Sequence, residues 1–163
     1  MNGWSSFCHA VTRTGVAHAM SESSWLFPTV ETIHLAAMVV LVGSITVFDL
    51  RLLDFVLRRE RVSELAERLL PTTWTAFAVM AVTGTLLFTS EPVTKYCPNP
   101  SFQIKLVLIA LAGLNMSIFH FTIYRHVSEW NEKPTPVWAK LVGSLSVLLW
   151  ASVVVAGRWI GFA

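Results

Sequence analysis

Residues 35–48 read LAAMVVLVGSITVF, an uncharged run of apolar and small side chains that decides the fold. Extended to residues 25–56, this stretch is long enough to cross about 30 Å of hydrocarbon, which takes ~20 helical residues. Three further apolar stretches of this kind occupy residues 72–90, 102–124 and 137–160. The sequence therefore predicts an all-α four-transmembrane-helix bundle, with residues 1–163 forming a single integral membrane domain.

The composition supports a membrane location and argues against a soluble domain, a β-barrel and a nucleic-acid-binding protein. Hydrophobic residues make up 54% of the chain and charged residues 13%, whereas soluble domains carry about 25% charged residues. The apolar runs are continuous rather than alternating, which disfavours a β-barrel. A net charge of +2 without a basic tract predicts no nucleic-acid partner. The first 24 residues contain no continuous apolar stretch, so no cleavable signal peptide is predicted.

Charge asymmetry between the connections predicts the direction of the spans. The predicted first connection and its flanks carry Arg51, Arg58, Arg59, Arg61 and Arg68. By the positive-inside rule both termini should lie outside the bacterial inner (cytoplasmic) membrane, with this connection in the cytoplasm. Residues 62–70 are predicted to form a separate charged surface helix, with Pro71 opening the second span. Arg51 and Lys140 are expected to snorkel from helix ends towards water.

The N-terminal segment contains a short apolar stripe at helical spacing, formed by Trp4, Phe7, Cys8 and Val11. The stripe predicts an interfacial helix on the outer face of the membrane, and a disordered leader is the alternative. Cys8 and Cys97 are the only two cysteines. The predicted topology places both outside, where an oxidising compartment permits a disulfide. Two unpaired thiols are the alternative.

Ionisable side chains within the spans fall into two layers. The outer layer comprises Glu31, His34, Lys105 and Arg158. Asp49 and His120 lie roughly 20 Å or more deeper, at ~1.5 Å of helix rise per residue. Because metal–ligand bonds reach only about 2 Å, His34 and His120 are not expected to bind one metal ion together. Intramembrane ionisable residues are costly and commonly functional, so both layers are candidate sites.

A purely structural interpretation exists for each layer. Glu31 can form an ion pair with Lys105 or with Arg158, which would neutralise the outer layer without any ligand. Asp49 and His120 are expected to face the same interior volume within hydrogen-bonding distance, as a structural pair. In that case the bundle would hold no cofactor.

Short motifs distributed over nearly the whole chain resemble a family of uncharacterised bacterial four-helix membrane proteins. The motifs are Trp25-Leu-Phe-Pro28, Glu31-Thr-Ile-His34, Asp49-Leu-Arg51-Leu-Leu53, Phe102-Gln-Ile-Lys105 and Gly157-Arg158. The resemblance implies the fold and the membrane location, but no settled activity.

A weaker resemblance implies a cofactor. A histidine in the first span and a lysine at the start of the third make the chain similar to HemJ-type protoporphyrinogen oxidases and, more loosely, to CopD-like membrane proteins. In HemJ-type proteins these two residues serve a b-type haem, and the matching positions here are His34 and Lys105. The resemblance also implies oxidation of a porphyrinogen as one candidate activity.

These observations together predict a b-type haem-binding integral membrane protein with a redox or electron-transfer role. His34 is the expected axial ligand of the iron, and Lys105 the second ligand or a propionate partner. Arg158 would pair with a propionate, because a guanidinium matches a carboxylate in bidentate geometry. Glu31 would orient His34 or shuttle a proton. A second haem, with His120 as its iron ligand, is a further alternative.

The expected partners follow from this prediction. A quinone or a periplasmic redox protein would exchange electrons with the haem, and the chain is expected in a homo-oligomer or a membrane complex. The alternative function is a non-redox membrane anchor subunit or a small-solute permease. In that case the outer layer would be an ion-pair network or a binding site for an anionic solute.

Overall fold

The computed structural model describes residues 3–130 and 134–162, and it confirms the predicted all-α bundle. The helices are α1 (Gly3–Thr12), α2 (Gly15–Glu22), α3 (Leu26–Leu52), α4 (Val62–Ser90), α5 (Pro100–Ile118), α6 (Val127–Trp130) and α7 (Val137–Trp159). A π-helical turn (Pro92–Tyr96) precedes α5, and π (Phe119–Ile123) and 3-10 (Tyr124–His126) turns connect α5 to α6. Four helices are long and apolar enough to cross a membrane: Leu26–Leu52, Val62–Ser90, Pro100–Trp130 and Val137–Trp159.

The four long helices alternate in direction, which gives the bundle two different ends. The disulfide end contains residues 91–99 and the C-terminal end of α7, joined by a hydrogen bond from Asn99 Nδ2 to the Ile160 carbonyl (3.2 Å). The arginine end contains residues 53–61 and 134–136. Helix α3 packs against α4 and α7, and α5 packs against α7.

Small and apolar side chains fill the bundle between its two ends. The central core comprises Ala37, Leu41, Ala76, Met80, Ala112, Trp150 and Val153. A second core cluster, formed by Leu52, Val62, Phe119 and Ala139, lies near the arginine end. The alanines let the helices approach closely, as is common where helices pack inside a bilayer.

The outer surface of the bundle is strongly apolar. Val39, Val82 and Leu148 are each more than 60% exposed, and they lie in the middle of three different spans. An exposed apolar surface of this extent is typical of a protein that contacts lipid. The chain is therefore a multi-pass membrane protein, as its composition predicts.

The second long helix differs from the sequence prediction at its start. Residues 62–70 do not form a separate surface helix, because α4 runs without interruption through Pro71. A proline removes one backbone hydrogen bond, but hydroxyl side chains supply local bonds beside it. Thr73 and Thr75 donate to the carbonyls of Leu69 (2.9 Å) and Pro71 (2.8 Å). Helix α3 also ends at Leu52, four residues before its expected end.

The N-terminal segment forms two helices rather than one, and it is attached to the bundle covalently. Cys8 and Cys97 form a disulfide with a Cα–Cα distance of 6.6 Å, which confirms the expected pairing. Trp4 donates from its indole nitrogen to the Cys97 carbonyl (3.2 Å). Phe7 stacks on Phe88 of α4, which in turn stacks on Phe102 of α5. These contacts place α1 over the disulfide end of the bundle.

Arg51 does not snorkel as predicted, since its side chain is only 5% exposed at the arginine end. It donates from Nε to the Glu60 carbonyl (2.9 Å) and from Nη1 to Asp54 Oδ1 (3.1 Å). Lys140 keeps a partly exposed side chain (38%) at the same end, and its Nζ lies 2.7 Å from Asp54 Oδ2. The buried guanidinium thus holds residues 53–61, where Asp54 and Leu57 adopt positive φ angles of 60° and 50°.

Asp54 is the centre of this network. Partial burial alone would raise the pKa of Asp54, but the hydrogen bonds from Lys140 and Thr135 and the charges of Lys140 and Arg51 outweigh it. The net effect is a pKa below the ordinary value of an aspartate. The carboxylate is therefore ionised at neutral pH and ties the residues after α3 to the start of α7.

Candidate functional site

His34 is fixed by helix α4, and this contact determines which ring nitrogen is available. Its Nδ1 lies 2.9 Å from the Thr83 hydroxyl oxygen. That hydroxyl donates its own hydrogen to the Val79 carbonyl (2.7 Å), so towards His34 it can only accept. In the neutral ring Nδ1 therefore carries the hydrogen and Nε2 keeps its lone pair. A histidine held in this way by a second partner is typical of a metal ligand.

Gly84 provides the surface on which the imidazole ring lies. A Cβ atom added at this position would be 3.2 Å from His34 Cε1 and 3.7 Å from Nδ1. The first distance is shorter than ordinary van der Waals contact, so the ring occupies the space that a side chain would need. Thr83 and Gly84 thus orient His34 together.

Lys105 approaches the same region from helix α5. Its ammonium group lies against α7, where a Cβ added at Gly157 would be 3.3 Å from Nζ. Its positive charge acts on the imidazole of His34. Within residues 3–130 and 134–162, no ion pair or hydrogen bond of Lys105 occurs. The ion pair between Glu31 and Lys105, which was the structural alternative for this layer, therefore does not form.

The other two residues of the predicted outer layer lie on the exposed rim. Arg158 is exposed, with its guanidinium 4.9 Å from the ring centre of Phe162, and forms no ion pair with Glu31. Glu31 is also exposed, and its charge acts on Tyr96. Burial raises the pKa of Tyr96, the hydrogen bond with Ser90 lowers it, and the charges of Glu91 and Glu31 raise it further.

The structure thus separates the four predicted outer residues into two groups. His34 and Lys105 are half-buried between the helices and interact electrostatically. Glu31 and Arg158 belong to the same end of the bundle but face away from its interior. Only the first two are positioned to contact a ligand inside the bundle without rearrangement.

The inner layer lies at the opposite end and has a different arrangement from the predicted one. Asp49 and His120 line the same cavity, which confirms that they face one interior volume. They form no hydrogen bond with each other: the partner of the Asp49 carboxyl is Ser146 of α7, and His120 stacks on Tyr124 with ring centres 5.7 Å apart. The shift from α-helix to π-helix at Phe119 sets the direction of His120.

Several of these residues were missed by sequence reasoning. Gly84 and Gly157 had no predicted role of their own at the site, whereas in the structure they accommodate His34 and Lys105. Thr83 precedes Gly84, and only its pairing across two helices identifies it as the partner of His34. Ser146 gives no signal in the sequence, because a serine in an apolar helix usually bonds its own backbone.

The described residues contain no group of three or more His, Cys, Asp or Glu side chains that could hold a metal ion. A multi-carboxylate or multi-histidine metal centre is therefore not present in residues 3–130 and 134–162. His34 and His120 occupy opposite ends of the bundle, as the depth of each residue along its helix predicts. A metal-containing cofactor at His34 would need to bring its own ligands, as a porphyrin does.

Comparison with known proteins identifies one family. The sequence model of a family of unknown function, DUF6644, matches residues 23–163, which include all four spans but neither α1 nor α2. No curated protein and no solved structure matches the chain. Nothing in these comparisons links the chain to HemJ-type oxidases or to CopD-like proteins.

Proposed function

The chain belongs to the DUF6644 family, and we propose that it is a b-type haem-binding membrane protein with a redox or electron-transfer role. The observation that carries the proposal is the hydrogen-bonding state of His34. Its Nδ1 lies 2.9 Å from the Thr83 hydroxyl, whose own hydrogen is donated to the Val79 carbonyl, and the ring also has a hydrogen bond with the backbone of Met80 on the same helix. The tautomer with its hydrogen on Nδ1 keeps the lone pair of Nε2 for a metal ion. Haem iron commonly takes a histidine nitrogen of this kind as its protein ligand.

Lys105 supports the same proposal through its charge. An ammonium group inside a membrane bundle without an anionic partner is unfavourable. The propionates of a haem are carboxylates, and one of them would supply the missing anion. Lys105 is alternatively the second iron ligand, in which case it would bind as the neutral amine. The two roles differ in which substitutions of Lys105 the protein should tolerate.

Two glycines let the His34 and Lys105 side chains pack closely against α4 and α7. Gly84 lies under the His34 ring and Gly157 under the Lys105 ammonium, so neither side chain is covered by a neighbouring Cβ. Arg158 and Glu31 lie at the rim of this region. We assign Arg158 to a propionate and Glu31 to proton exchange with water, roles that follow from their chemistry and position. When bound, the haem would supply reversible one-electron oxidation and reduction.

The disulfide supports an orientation and a class of partner. Disulfides form in oxidising compartments, so the end that contains Cys8 and Cys97 is assigned to the periplasmic side of the bacterial inner membrane. The arginines at residues 58–61 are then cytoplasmic, in agreement with the positive-inside rule. A haem at His34 would lie towards the periplasmic side, within reach of a quinone or a periplasmic redox protein.

A second candidate function rests on Lys105 alone. A half-buried cation that has no anionic partner in residues 3–130 and 134–162 is also what a small-solute permease for carboxylates would present to its substrate. A protein of this kind, like a non-redox anchor subunit, would be colourless. Absorbance therefore separates this alternative from the haem proposal before any variant is made.

The test is the absorbance spectrum of the protein purified from cells supplied with haem precursors. The wild type should show a Soret band, and His34→Ala should lose it or shift it strongly while still inserting into membranes. His126→Ala is the matched control, because His126 is exposed and only bonds the Thr122 carbonyl of its own helical segment. If neither purified nor haem-treated wild-type protein binds haem, the redox proposal fails.

Lys105 variants distinguish its two roles. If Lys105 pairs with a propionate, Lys105→Arg should retain the Soret position, because the charge is kept. If Lys105 is the second iron ligand, Lys105→Arg and Lys105→Ala should both change the spectrum, because arginine stays protonated and does not ligate.

A further inference from the structure

A cavity of about 60 Å³ lies near the arginine end, between α3, α4, α7 and the π-helical turn after α5. This volume exceeds the roughly 10–15 Å³ that one water molecule needs, so the cavity has room for water. Most of its wall is apolar, and its polar side chains are Asp49, Thr73, Asn115, His120, Ser146 and Tyr124. It is separated from the His34–Lys105 region by the central core.

Asp49 is the group that requires explanation in this cavity. The residue is only 4% exposed, and Ser146 is the one side chain that hydrogen-bonds its carboxyl among the described residues. The second carboxyl oxygen, Oδ2, is buried and has no hydrogen-bond partner in the described part of the chain. A native protein rarely leaves a buried polar atom unpaired, so such an atom usually has a role or a partner from solvent.

Within the described ranges, no cation stands close to Asp49 to neutralise it. On its own helix the nearest charged group is Arg51, whose guanidinium is engaged by Asp54 and the Glu60 carbonyl. The cavity-lining residues of α4 and α7 include no titratable group. His120 and Tyr124, which follow α5, are the titratable groups facing Asp49 from the remaining side.

A bound metal cation explains this arrangement less well than a proton does. Hard cations take about six or more oxygen ligands. The Thr73 hydroxyl is already bonded to the Leu69 carbonyl and to Ser44, and the Ser146 hydroxyl to Asp49 itself. Fewer than six side-chain oxygens of the cavity lining are therefore left for a cation. A carboxyl group enclosed by an apolar wall with few partners is instead most stable as the neutral acid.

We propose that Asp49 is a proton-binding site that exchanges its proton with water at the arginine end through this cavity and His120. His120 lines the cavity and is exposed at the surface of the bundle near the arginine end, so it lies between the cavity and that end. The imidazolium of His120 gives its proton to a cavity water, which passes a proton to Asp49 Oδ2. The products are a neutral imidazole and a neutral carboxylic acid, and bulk water then reprotonates His120. The proposal does not depend on haem binding.

Infrared spectroscopy of the full chain in lipid nanodiscs tests the proposal. The wild type should show the C=O stretch of a protonated carboxylic acid that disappears as pH is raised, and Asp49→Asn should remove this band. Asp54→Asn is the matched control, because Asp54 lies at the same end but is ionised in the network of Arg51 and Lys140. The band should persist in Asp54→Asn and also in His34→Ala, which lacks the proposed haem ligand.

The kinetics test the path. After transfer into D2O, the band should shift several-fold more slowly in His120→Gln than in the wild type. If Asp49→Asn does not fold, Asp49→Glu should move the band to the frequency of a glutamic acid. A band that survives in Asp49→Asn overturns the proposal. A wild type with no such band at any pH, stabilised instead by sodium ions, also overturns it and identifies a cation site.

Discussion

The contact between Gly84 and His34 allows the packing of His34, the proposed iron ligand, to be tested without replacing the histidine. In Gly84→Ala, the new Cβ would be 3.2 Å from His34 Cε1, so the ring or the helix must move by a few tenths of an ångström. Gly113→Ala is the matched control, because a Cβ at Gly113 meets no atom within 4 Å. Both glycines lie inside long helices, so both variants gain helix propensity equally.

The magnitudes follow from these two effects. Replacing glycine by alanine within a helix contributes up to about 1 kcal/mol of stability. Overpacking a fitted contact costs about 1–3 kcal/mol, and weakening the Thr83 hydrogen bond costs about 0.5–1.5 kcal/mol more. Gly113→Ala should therefore be as stable as the wild type or more stable. Gly84→Ala should be less stable than Gly113→Ala by about 1.5–4.5 kcal/mol.

The assay is unfolding in mixed micelles, followed by tryptophan fluorescence, together with the Soret position of each variant. A double variant isolates the contact, because His34→Ala removes the ring that the added methyl group of Gly84→Ala would meet. In the His34→Ala background, Gly84→Ala should no longer destabilise. Equal unfolding midpoints for Gly84→Ala and Gly113→Ala, or a cost that persists without the ring, would refute the proposed packing of His34 on α4.

Three further predictions concern the rest of the fold. Because the pKa of Asp54 is held below its ordinary value of 3.8, its ion pairs stabilise the fold fully above that pH, and the stabilisation is lost as pH falls through the lower folded value. In Asp54→Asn, the free energy of unfolding should therefore fall less steeply than in the wild type as pH is lowered. Cys97→Ser should lower the free energy of unfolding by about 2–4 kcal/mol relative to the wild type under non-reducing conditions. An unchanged unfolding midpoint would contradict a formed disulfide. Ser63→Cys should resist a membrane-impermeant thiol reagent in intact spheroplasts and react after lysis, because residue 63 is assigned to the cytoplasmic side. The native cysteines are paired and should not react. Labelling before lysis would contradict the proposed orientation.

The sequence predicted the features that depend on local composition. The four spans follow from run length and apolarity, and the pairing of Cys8 with Cys97 follows from their shared side of the membrane. The prediction was wrong for the first residues of α4, which continue through Pro71 instead of forming a separate surface helix. Proline normally marks a helix start, but within an apolar bundle the neighbouring hydroxyls and helices preserve the helix through it.

The pairing of polar side chains was harder to predict, because it depends on the rotation of each helix about its own axis. Spacing places Glu31 and Lys105 at one depth, yet Glu31 faces outward and Lys105 faces α7. Asp49 and His120 share a cavity as predicted, but a π-helical turn and the position of Ser146 determine their partners. The sequence predicted that Arg51 snorkels. Its burial depends on the fold of residues 53–61, which bring the Glu60 carbonyl to the guanidinium group.

The ratio of haem to protein chain tests the central proposal most directly. It is measured by pyridine haemochrome analysis against amino-acid quantification of the purified wild-type protein. The proposal predicts one b-type haem per chain in the wild type and none in His34→Ala. A ratio of zero after addition of haem would contradict haem binding, and a ratio of two would contradict a single site at His34 and favour a second haem at His120.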